Sequence, residues 1–482
     1  MASVQCMLHE AGRVSRTRPA LVGHDIQIAY GELDLMVSAT AQLLRAAGLE
    51  RGQRVALYLE DGWALATLLL GLIRIGAVPA PLSTRLPVQA VAQRLATLDA
   101  RCLIARVSDA SRAKLPEIVC LDPDGLVSRG LTSGQAADLF TMPLDQPATL
   151  VFTSGSAGTP KAALLTYGNH YYSAYGANLN VRLQSADCWL LSLPLYHVGG
   201  LGILFRCIQS GAAVALMDRG ESLADALASF PVTHLSVVPT QLHRLLQAGV
   251  PDAVRARLKA VVVGGAPAAP ALLQAAQAAG WPVMPSYGLT EMNAQVTAAP
   301  LHAPAGKLGT AGRVLRYRQL RVADDGEILL RGETLFAGYV DAGVVERPVD
   351  AEGWFATGDV GRLDEDGFLT VLGRKDDRFI SGGENVAPEE IERALLVLPG
   401  VRQALVVPVA DAEYGQRPVA FVDGADDLDA GALRAALRSV LPAYMLPVAF
   451  YPWPEDLAPE HGMKVSRQAF AERVPGTGRM RE

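Results

Sequence analysis

The sequence predicts an α/β protein in two parts: a large N-terminal domain of α/β sheets over residues 1–375, carrying a β-rich subdomain at about 316–373, and a small α+β C-terminal domain over 376–482. Three observations predict it. Helix-period and strand-like runs alternate from Leu33 to Pro285, the pattern of an open α/β sheet. From Arg316 that pattern gives way to short alternating runs around Asp324-Asp325-Gly326 and Asp364-Glu365-Asp366-Gly367, where glycine supplies the positive φ of a hairpin turn. The charged cluster Arg374-Lys375-Asp376-Asp377-Arg378 then separates these hairpins from a compact tail.

Taken in order, Leu33 to Ala47 has apolar residues at helical spacing and stops at Gly48, as a C-terminal cap would. Val55 to Leu59 is a short strand, Ala64 to Ile75 and the Ala-rich Val88 to Leu98 continue the alternation, and Cys102 to Ala105 is strand-like. The region up to Met142 reads as scaffold. Leu150 to Thr166 then places a polar, glycine-containing segment between two apolar runs. Further on, Trp189 to Leu193 is a strand running into Pro194-Leu195-Tyr196-His197, His234 to Val238 is a strand and Thr240 to Gln247 a helix. Lys259 to Val263 is a buried strand ending at Gly264-Gly265-Ala266-Pro267, and Pro282 to Pro285 leads into Ser286-Tyr287-Gly288-Leu289-Thr290-Glu291. Polar segments therefore recur where strands end, which is where open α/β sheets bind ligands. In the tail, Ser381 to Asn385 precedes a helix over Pro388 to Leu398.

A chain of 482 residues with 50% hydrophobic content can bury a large core. Its net charge of -6 leaves no basic stripe, so nucleic acid is excluded as a main partner and small-molecule chemistry is favoured. The five cysteines are far apart and form no CxxC pair, which predicts a reducing, cytoplasmic setting. The first residues carry His9, Glu10, Arg13, Arg16 and Arg18 without a continuous apolar run, so a signal peptide is not expected there. Trp63 to Leu82 is the most membrane-like stretch, but Arg74, two glycines and two prolines interrupt it, so no membrane span is expected. A monomer and a homo-oligomer are both compatible with these features.

The segment Thr153 to Lys161, TSGSAGTPK, lacks the GxxxxGK spacing of a Walker loop. Its hydroxyls and unhindered glycine amides still suit phosphate oxygens, with Lys161 adding a positive charge, and a solvent loop is the competing reading. Together with LPLYH (Leu193 to His197), GGAP (Gly264 to Pro267), YGLTE (Tyr287 to Glu291), TGD (Thr357 to Asp359) and GRKDD (Gly373 to Asp377), it resembles the adenylate-forming enzymes, a family of acyl- and aryl-CoA ligases, luciferases and peptide-synthetase adenylation domains. Six such segments in order almost exclude chance.

The resemblance implies a mobile C-terminal lid over an active site and two half-reactions. A carboxylate attacks the α-phosphate of ATP with Mg2+ bound, giving an acyl adenylate and pyrophosphate; a thiol, here that of coenzyme A, then displaces AMP. It further implies that Thr153, Ser154, Gly155, Ser156, Gly158 and Lys161 cradle the β- and γ-phosphates. Gly265, Ala266, Pro267, Ser286, Tyr287 and Gly288 would border the adenine, Asp359 would take the ribose hydroxyls with help from Arg374, and Thr290 would line the site. Glu291, with Thr153, would bind magnesium, a hard cation that wants oxygen ligands; a carboxylate favoured by a helix N-terminus is the alternative. His197 would gate the carboxylate pocket, or else be a core residue.

Asp376 matches the family's hinge, or is one more solvated charge. Gly382 and Gly383 would let pantetheine approach the backbone, or simply form a turn. Lys464, in Gly462-Met463-Lys464-Val465-Ser466-Arg467, would be the lid's catalytic cation, with an ordinary surface lysine as the alternative. Family members usually have glycine directly before this lysine, and here Met463 intervenes. That departure, with WLLSLPLYHVGG, VVPTQLHRLL and FISGGENVAPEEIE, looks most like the family's o-succinylbenzoate-CoA ligase branch of menaquinone biosynthesis. Its acid carries a second, aromatic carboxylate, so the pocket should hold a fixed cation. Arg206, in the otherwise apolar Leu201 to Ile208, fits that demand, with a buried structural ion pair as the competing reading. Ser236, Gly264 and Thr290 would line the same pocket. Another aryl- or acyl-CoA ligase, an adenylation enzyme loading a separate carrier protein, and a non-catalytic ATP-binding homologue stay open.

Overall fold

The computed structural model describes residues 2–106, 114–115, 117–127, 140–153, 161–411, 413–425, 428–454 and 467–474. Its largest sheet has nine strands. Six are parallel, in the spatial order Val283–Leu289, Ala260–Val263, His234–Val237, Cys188–Leu190, Ala213–Ala215, Pro19–Val22. Antiparallel strands finish both edges: Gln27–Ala29 at one, Ala294–Ala298 and Arg313–Val314 at the other. The parallel strands are apolar because helices cover both faces. Leu235, Val237, Val261 and Val263 pack with Leu227, Leu242 and Leu273 of the helices on one side. The helices Tyr30–Ala46 and Val198–Ser210 contribute to a larger core that also contains Trp189, Val214 and Val262.

The order of these strands contains a reversal. From Cys188–Leu190 the chain moves through the helix Val198–Ser210 to Ala213–Ala215 on one side. It then returns through the helix Leu223–Ser229 to His234–Val237 on the other side. Neighbouring strands whose connections leave in opposite directions open a crevice at their carboxyl ends. His197 and Ser236 belong to the segments that meet there.

A second, four-stranded sheet is wholly parallel and carries Arg54–Tyr58 and Cys102–Ala105 at its centre. The helices Tyr30–Ala46, Trp63–Ile75 and Val88–Leu98 lie where the periodicity puts them, within three residues at each end. The run after the expected phosphate loop is a strand: Pro147–Thr153 and Lys161–Thr166 form an antiparallel pair with Thr153 opposite Lys161. The strand Gly338–Asp341 pairs with the other side of Lys161–Thr166. The β-rich region is a four-stranded antiparallel meander, Arg318–Val322, Glu327–Gly332, Phe355–Leu363 and Leu369–Arg374, turning at the expected Asp-Gly sites. Phe379–Ser381 opens a five-stranded sheet covered by the helices Pro388–Leu396 and Ala430–Arg438, with its own apolar core around Phe379, Ile391, Leu433 and Phe450.

Two expectations need correction. The strand expected over Trp189 to Leu193 is shorter, Cys188–Leu190, and the Ser192 hydroxyl beyond it donates to the Ser236 carbonyl across the crevice at 2.5 Å. The segment from Ser286 is not a loop either. The strand Val283–Leu289 continues through it and pairs antiparallel with Ala294–Ala298. Gly288 sits at the register shift in that pair, where a Cβ would lie 2.1 Å from the Ala294 carbonyl oxygen, so close backbone approach demands glycine. Among the described residues no disulfide joins the cysteines. Among the described residues no helix is long and apolar enough to cross a membrane.

Candidate active site

Three predicted residues from separate segments converge. Asp359 and Arg374 face each other across the last hairpin of the meander, and the Arg374 guanidinium reaches the Asp359 carboxylate at 3.1 Å. The hydroxyl of Tyr287, on the extended strand, donates to the other Asp359 oxygen at 2.6 Å. Burial, then the neighbouring carboxylate, pushes the Tyr287 phenol well above its ordinary range, so it stays a donor. For Arg374, burial acts to lower the guanidinium; Asp359 outweighs it and the group is raised. Arg374 also donates to the Thr357 carbonyl at 2.8 Å, and its other nitrogen lies 3.3 Å from Asp376. Tyr287, Asp359, Arg374 and the expected hinge residue thus form one connected chain.

Gly264, Gly265, Ala266 and Pro267 leave the carboxyl end of Ala260–Val263, and all but Gly264 are exposed. A Cβ at Gly264 would stand 2.6 Å from the Ser286 hydroxyl, which itself donates to the Val263 carbonyl at 3.1 Å. Gly265 has φ of +80°, a left-handed conformation that turns the chain away from the sheet.

Glu291 lies in the three-residue 3-10 turn Thr290–Met292, too short to offer a helix dipole as its explanation. One of its carboxylate oxygens accepts from the Tyr339 hydroxyl at 2.5 Å, and its carbonyl accepts from the Phe336 amide at 2.8 Å. Burial, followed by Glu291, raises the Tyr339 phenol. The Lys161 ammonium lies 4.9 Å from the centroid of the same ring. Carboxylate and hydroxyl oxygens from Glu291 and Thr153 suit magnesium, which takes one or two protein ligands and completes its shell with phosphate and water. Among the described residues no group of three or more His, Cys, Asp or Glu could hold a metal ion.

His197 precedes the helix Val198–Ser210, half-buried, with its ring 4.7 Å from that of Tyr196. Burial lowers its imidazolium, which keeps the ring neutral more readily. Arg206 is in the same helix and only 2% exposed. Its guanidinium lies 5.3 Å from the Trp189 ring centroid, its Nε has no hydrogen-bond partner, and no carboxylate among the described residues forms an ion pair with it. The structural ion pair considered for this residue is therefore not observed among the described residues. Burial lowers Arg206 from its ordinary value to about 10. Ser236 is 4% exposed in His234–Val237, and Thr290 is half-buried beside Glu291.

Gly382 and Gly383 have φ of +61° and +87° and form the two-residue turn joining Phe379–Ser381 to Glu384–Val386. The positive φ at both positions is itself a requirement for glycine. Ser154, Gly155, Ser156 and Gly158 of the loop, and Lys464, lie outside the described residues.

Tyr339 and Asp61 escaped sequence reasoning. Asp61, in the region read as scaffold, accepts a hydrogen bond from the Leu195 amide at 2.9 Å and so holds the segment before His197. Neither has a local signal, because their partners are 48 and 134 residues away.

The chain as a whole is similar to known proteins. The family described as AMP-binding enzyme matches residues 8–340, and its C-terminal domain matches residues 390–458. A 2-succinylbenzoate–CoA ligase of Bacillus cereus is 35% identical over 416 residues, 84% of this chain and 85% of its own. One of Listeria monocytogenes is 32% identical, covering 91% and 93%. Among solved structures, o-succinylbenzoate CoA synthetase from Bacillus subtilis in complex with the acyl-adenylate intermediate OSB-AMP is 28% identical, with a TM-score of 0.86 over 100% of both chains. The same enzyme in complex with ATP and magnesium ion is 29% identical, with a TM-score of 0.85 over 97% and 99%. With sequence and fold alike over nearly its full length, the chain belongs to the AMP-binding enzyme family.

Proposed function

We propose that the chain is an AMP-forming o-succinylbenzoate-CoA ligase, which serves menaquinone biosynthesis. The acid's carboxylate attacks the α-phosphate of ATP, forming a C(O)–O–P bond and breaking the bond to pyrophosphate. The coenzyme A thiol then attacks the acyl carbon of the adenylate, loses its proton, and AMP leaves. Adenylation is needed because a carboxylate oxygen is otherwise too poor a leaving group for a thiol to displace.

The observation that carries the ligase reading is the Tyr287–Asp359–Arg374 cluster. A carboxylate fixed by a phenol and a guanidinium keeps lone pairs for two ribose hydroxyls, with an aromatic ring beside it for the adenine. Gly265, Ala266, Pro267 and Ser286 border the base, Thr153 to Lys161 hold the β- and γ-phosphates, and Glu291 with Thr153 hold magnesium. The metal, when bound, neutralises charge on the phosphate oxygens. Residues 1–375 form the nucleotide- and acid-binding domain, residues 376–482 the lid, and Asp376 the hinge. Lys464 supplies a cation from the lid for adenylation, and Gly382 and Gly383 receive pantetheine when the lid rotates. The choice of acid rests on Arg206, a buried cation lacking an acidic partner among the described residues. The aromatic carboxylate of o-succinylbenzoate meets it, with Ser236, Gly264, Thr290 and His197 around the ligand.

Pyrophosphate release across a panel of acids, with and without coenzyme A, tests this. Release with o-succinylbenzoate well above simple benzoates and fatty acids is expected, and turnover should require coenzyme A. Release without preference among acids removes the substrate assignment and leaves the ligase class intact. Turnover with a carrier-protein thiol instead of coenzyme A overturns the acceptor.

A further inference from the structure

We infer that Tyr339 is a positioning residue that holds Glu291 and Lys161 in register for magnesium and ATP. The inference rests on the reading of Glu291 as a metal ligand and Lys161 as a phosphate contact. It adds a residue that no motif marks.

Strand geometry brings the three together. Tyr339 is paired with Ala163, and Lys161 lies two residues from Ala163, so the Lys161 side chain leaves the same face of the sheet. Diagonal neighbours on one face are within reach of long side chains, and the ammonium comes to rest 4.9 Å from the ring centroid. The ring thereby gives a flexible four-carbon stem a preferred seat at the base of the phosphate loop. At the ring's other end the hydroxyl donates to one Glu291 oxygen at 2.5 Å. Two further contacts support that pairing: the Phe336 amide donates to the Glu291 carbonyl at 2.8 Å, and the Phe336 and Tyr339 rings meet edge to face at 4.8 Å. A carboxylate pinned through one oxygen presents the other in a set direction. Outer partners of this kind typically change metal affinity 10- to 100-fold.

Tyr339→Phe keeps the ring and removes the hydroxyl. The magnesium concentration needed for half-maximal pyrophosphate release should rise about 10-fold or more. Calorimetric binding of ATP should weaken by a similar factor with magnesium present and stay unchanged with EDTA. Thioester formation from supplied acyl adenylate and coenzyme A, which uses neither ATP nor metal, should be spared. Tyr339→Leu, which also removes the seat for Lys161, should weaken ATP binding in EDTA as well. Wild-type magnesium dependence in Tyr339→Phe would overturn the inference, as would equal loss in both half-reactions, which marks general structural damage. Glu291→Gln separates the premise from the inference. If it leaves magnesium dependence unchanged, the metal assignment is wrong; if it shifts that dependence and Tyr339→Phe does not, the positioning role alone is rejected.

Discussion

Replacing Arg206 should make the protein more stable and a worse catalyst, and the structure sets the size of both effects. At 2% exposure the guanidinium has lost its water, and burial lowers it from its ordinary value to about 10. At about 1.4 kcal/mol per tenfold in equilibrium, that represents roughly 3 kcal/mol of unfavourable free energy for the folded, charged form. The sign follows from linkage. The folded state gives up this proton more readily than the unfolded one, so the penalty fades only above pH 10 and is present in full at neutral pH. Contact with the Trp189 ring returns about 1 kcal/mol. Arg206→Met should therefore raise stability by about 2 kcal/mol, seen as a higher urea midpoint with an unchanged slope. The same change should raise KM for o-succinylbenzoate about 10- to 100-fold, the worth of a charge-assisted hydrogen bond in a dry site. KM for an acid lacking the second carboxylate should move little. Equal rises for both acids would refute the ligand role. A loss of about 3–5 kcal/mol in stability would refute the unpaired charge, because that is the signature of a broken buried pair.

Other expectations can be checked separately. Asp359→Ala should raise KM for ATP about 10-fold or more, and Tyr287→Phe should do so less, since the ring remains; an unchanged KM in the Asp359 variant would remove the ribose assignment. Lys464→Ala should abolish pyrophosphate release while sparing thioester formation from supplied acyl adenylate, and loss of both would mark the lysine as structural. His170 is buried, bonded to Thr149 and Asn293, and burial lowers it to about 3. Its unfolded state binds the proton first, so stability should fall as pH drops below about 6.5, by up to about 1.4 kcal/mol for each pH step; an equally steep fall in His170→Asn would refute this source. Gly288→Ala places a methyl 2.1 Å from the Ala294 carbonyl and should cost about 2 kcal/mol or more, measured by denaturation.

What was legible in the sequence follows from how local the information is. Val88–Leu98 and Cys102–Ala105 have the bounds their periodicity predicts, because each is set by its own residues. The meander was legible from Asp324-Asp325-Gly326 and Asp364-Glu365-Asp366-Gly367, since a hairpin turn needs a positive φ that glycine supplies. The strand through Ser286 and Tyr287 was not. Its glycine and serine look like a loop, and only pairing with Ala294–Ala298 makes the close approach at Gly288 a reason for glycine. Arg206 was legible as an anomaly, a charge in an apolar helix, but its lack of an acidic partner among the described residues required the packing. Tyr339 and Asp61 illustrate the remainder: ordinary residues in ordinary surroundings, given a task by partners far along the chain.

The fold divides the work of the site between two kinds of support. The residues proposed for the acid sit at the reversal in strand order: His197 leads into the helix that carries Arg206, and Ser236 lies on a neighbouring strand, both elements packed into cores that cannot shift easily. That rigidity suits discrimination, since a buried cation left unmatched penalises the wrong acid. The residues proposed for the nucleotide are carried on antiparallel pairs instead. Tyr287 comes from the strand Val283–Leu289 where it pairs with Ala294–Ala298, Asp359 and Arg374 come from the meander, and Arg374 bonds Asp359 with one nitrogen and Asp376 with another. The Arg374–Asp376 contact is largely solvent-exposed on its aspartate side, 59%, so it adds little to stability and can break at little expense. Rotation at Asp376 would release that contact while leaving the Asp359 contact in place. A lid could then change position between half-reactions without loosening the residues assigned to the ribose, whereas a buried pair at the same place would have tied nucleotide binding to one orientation.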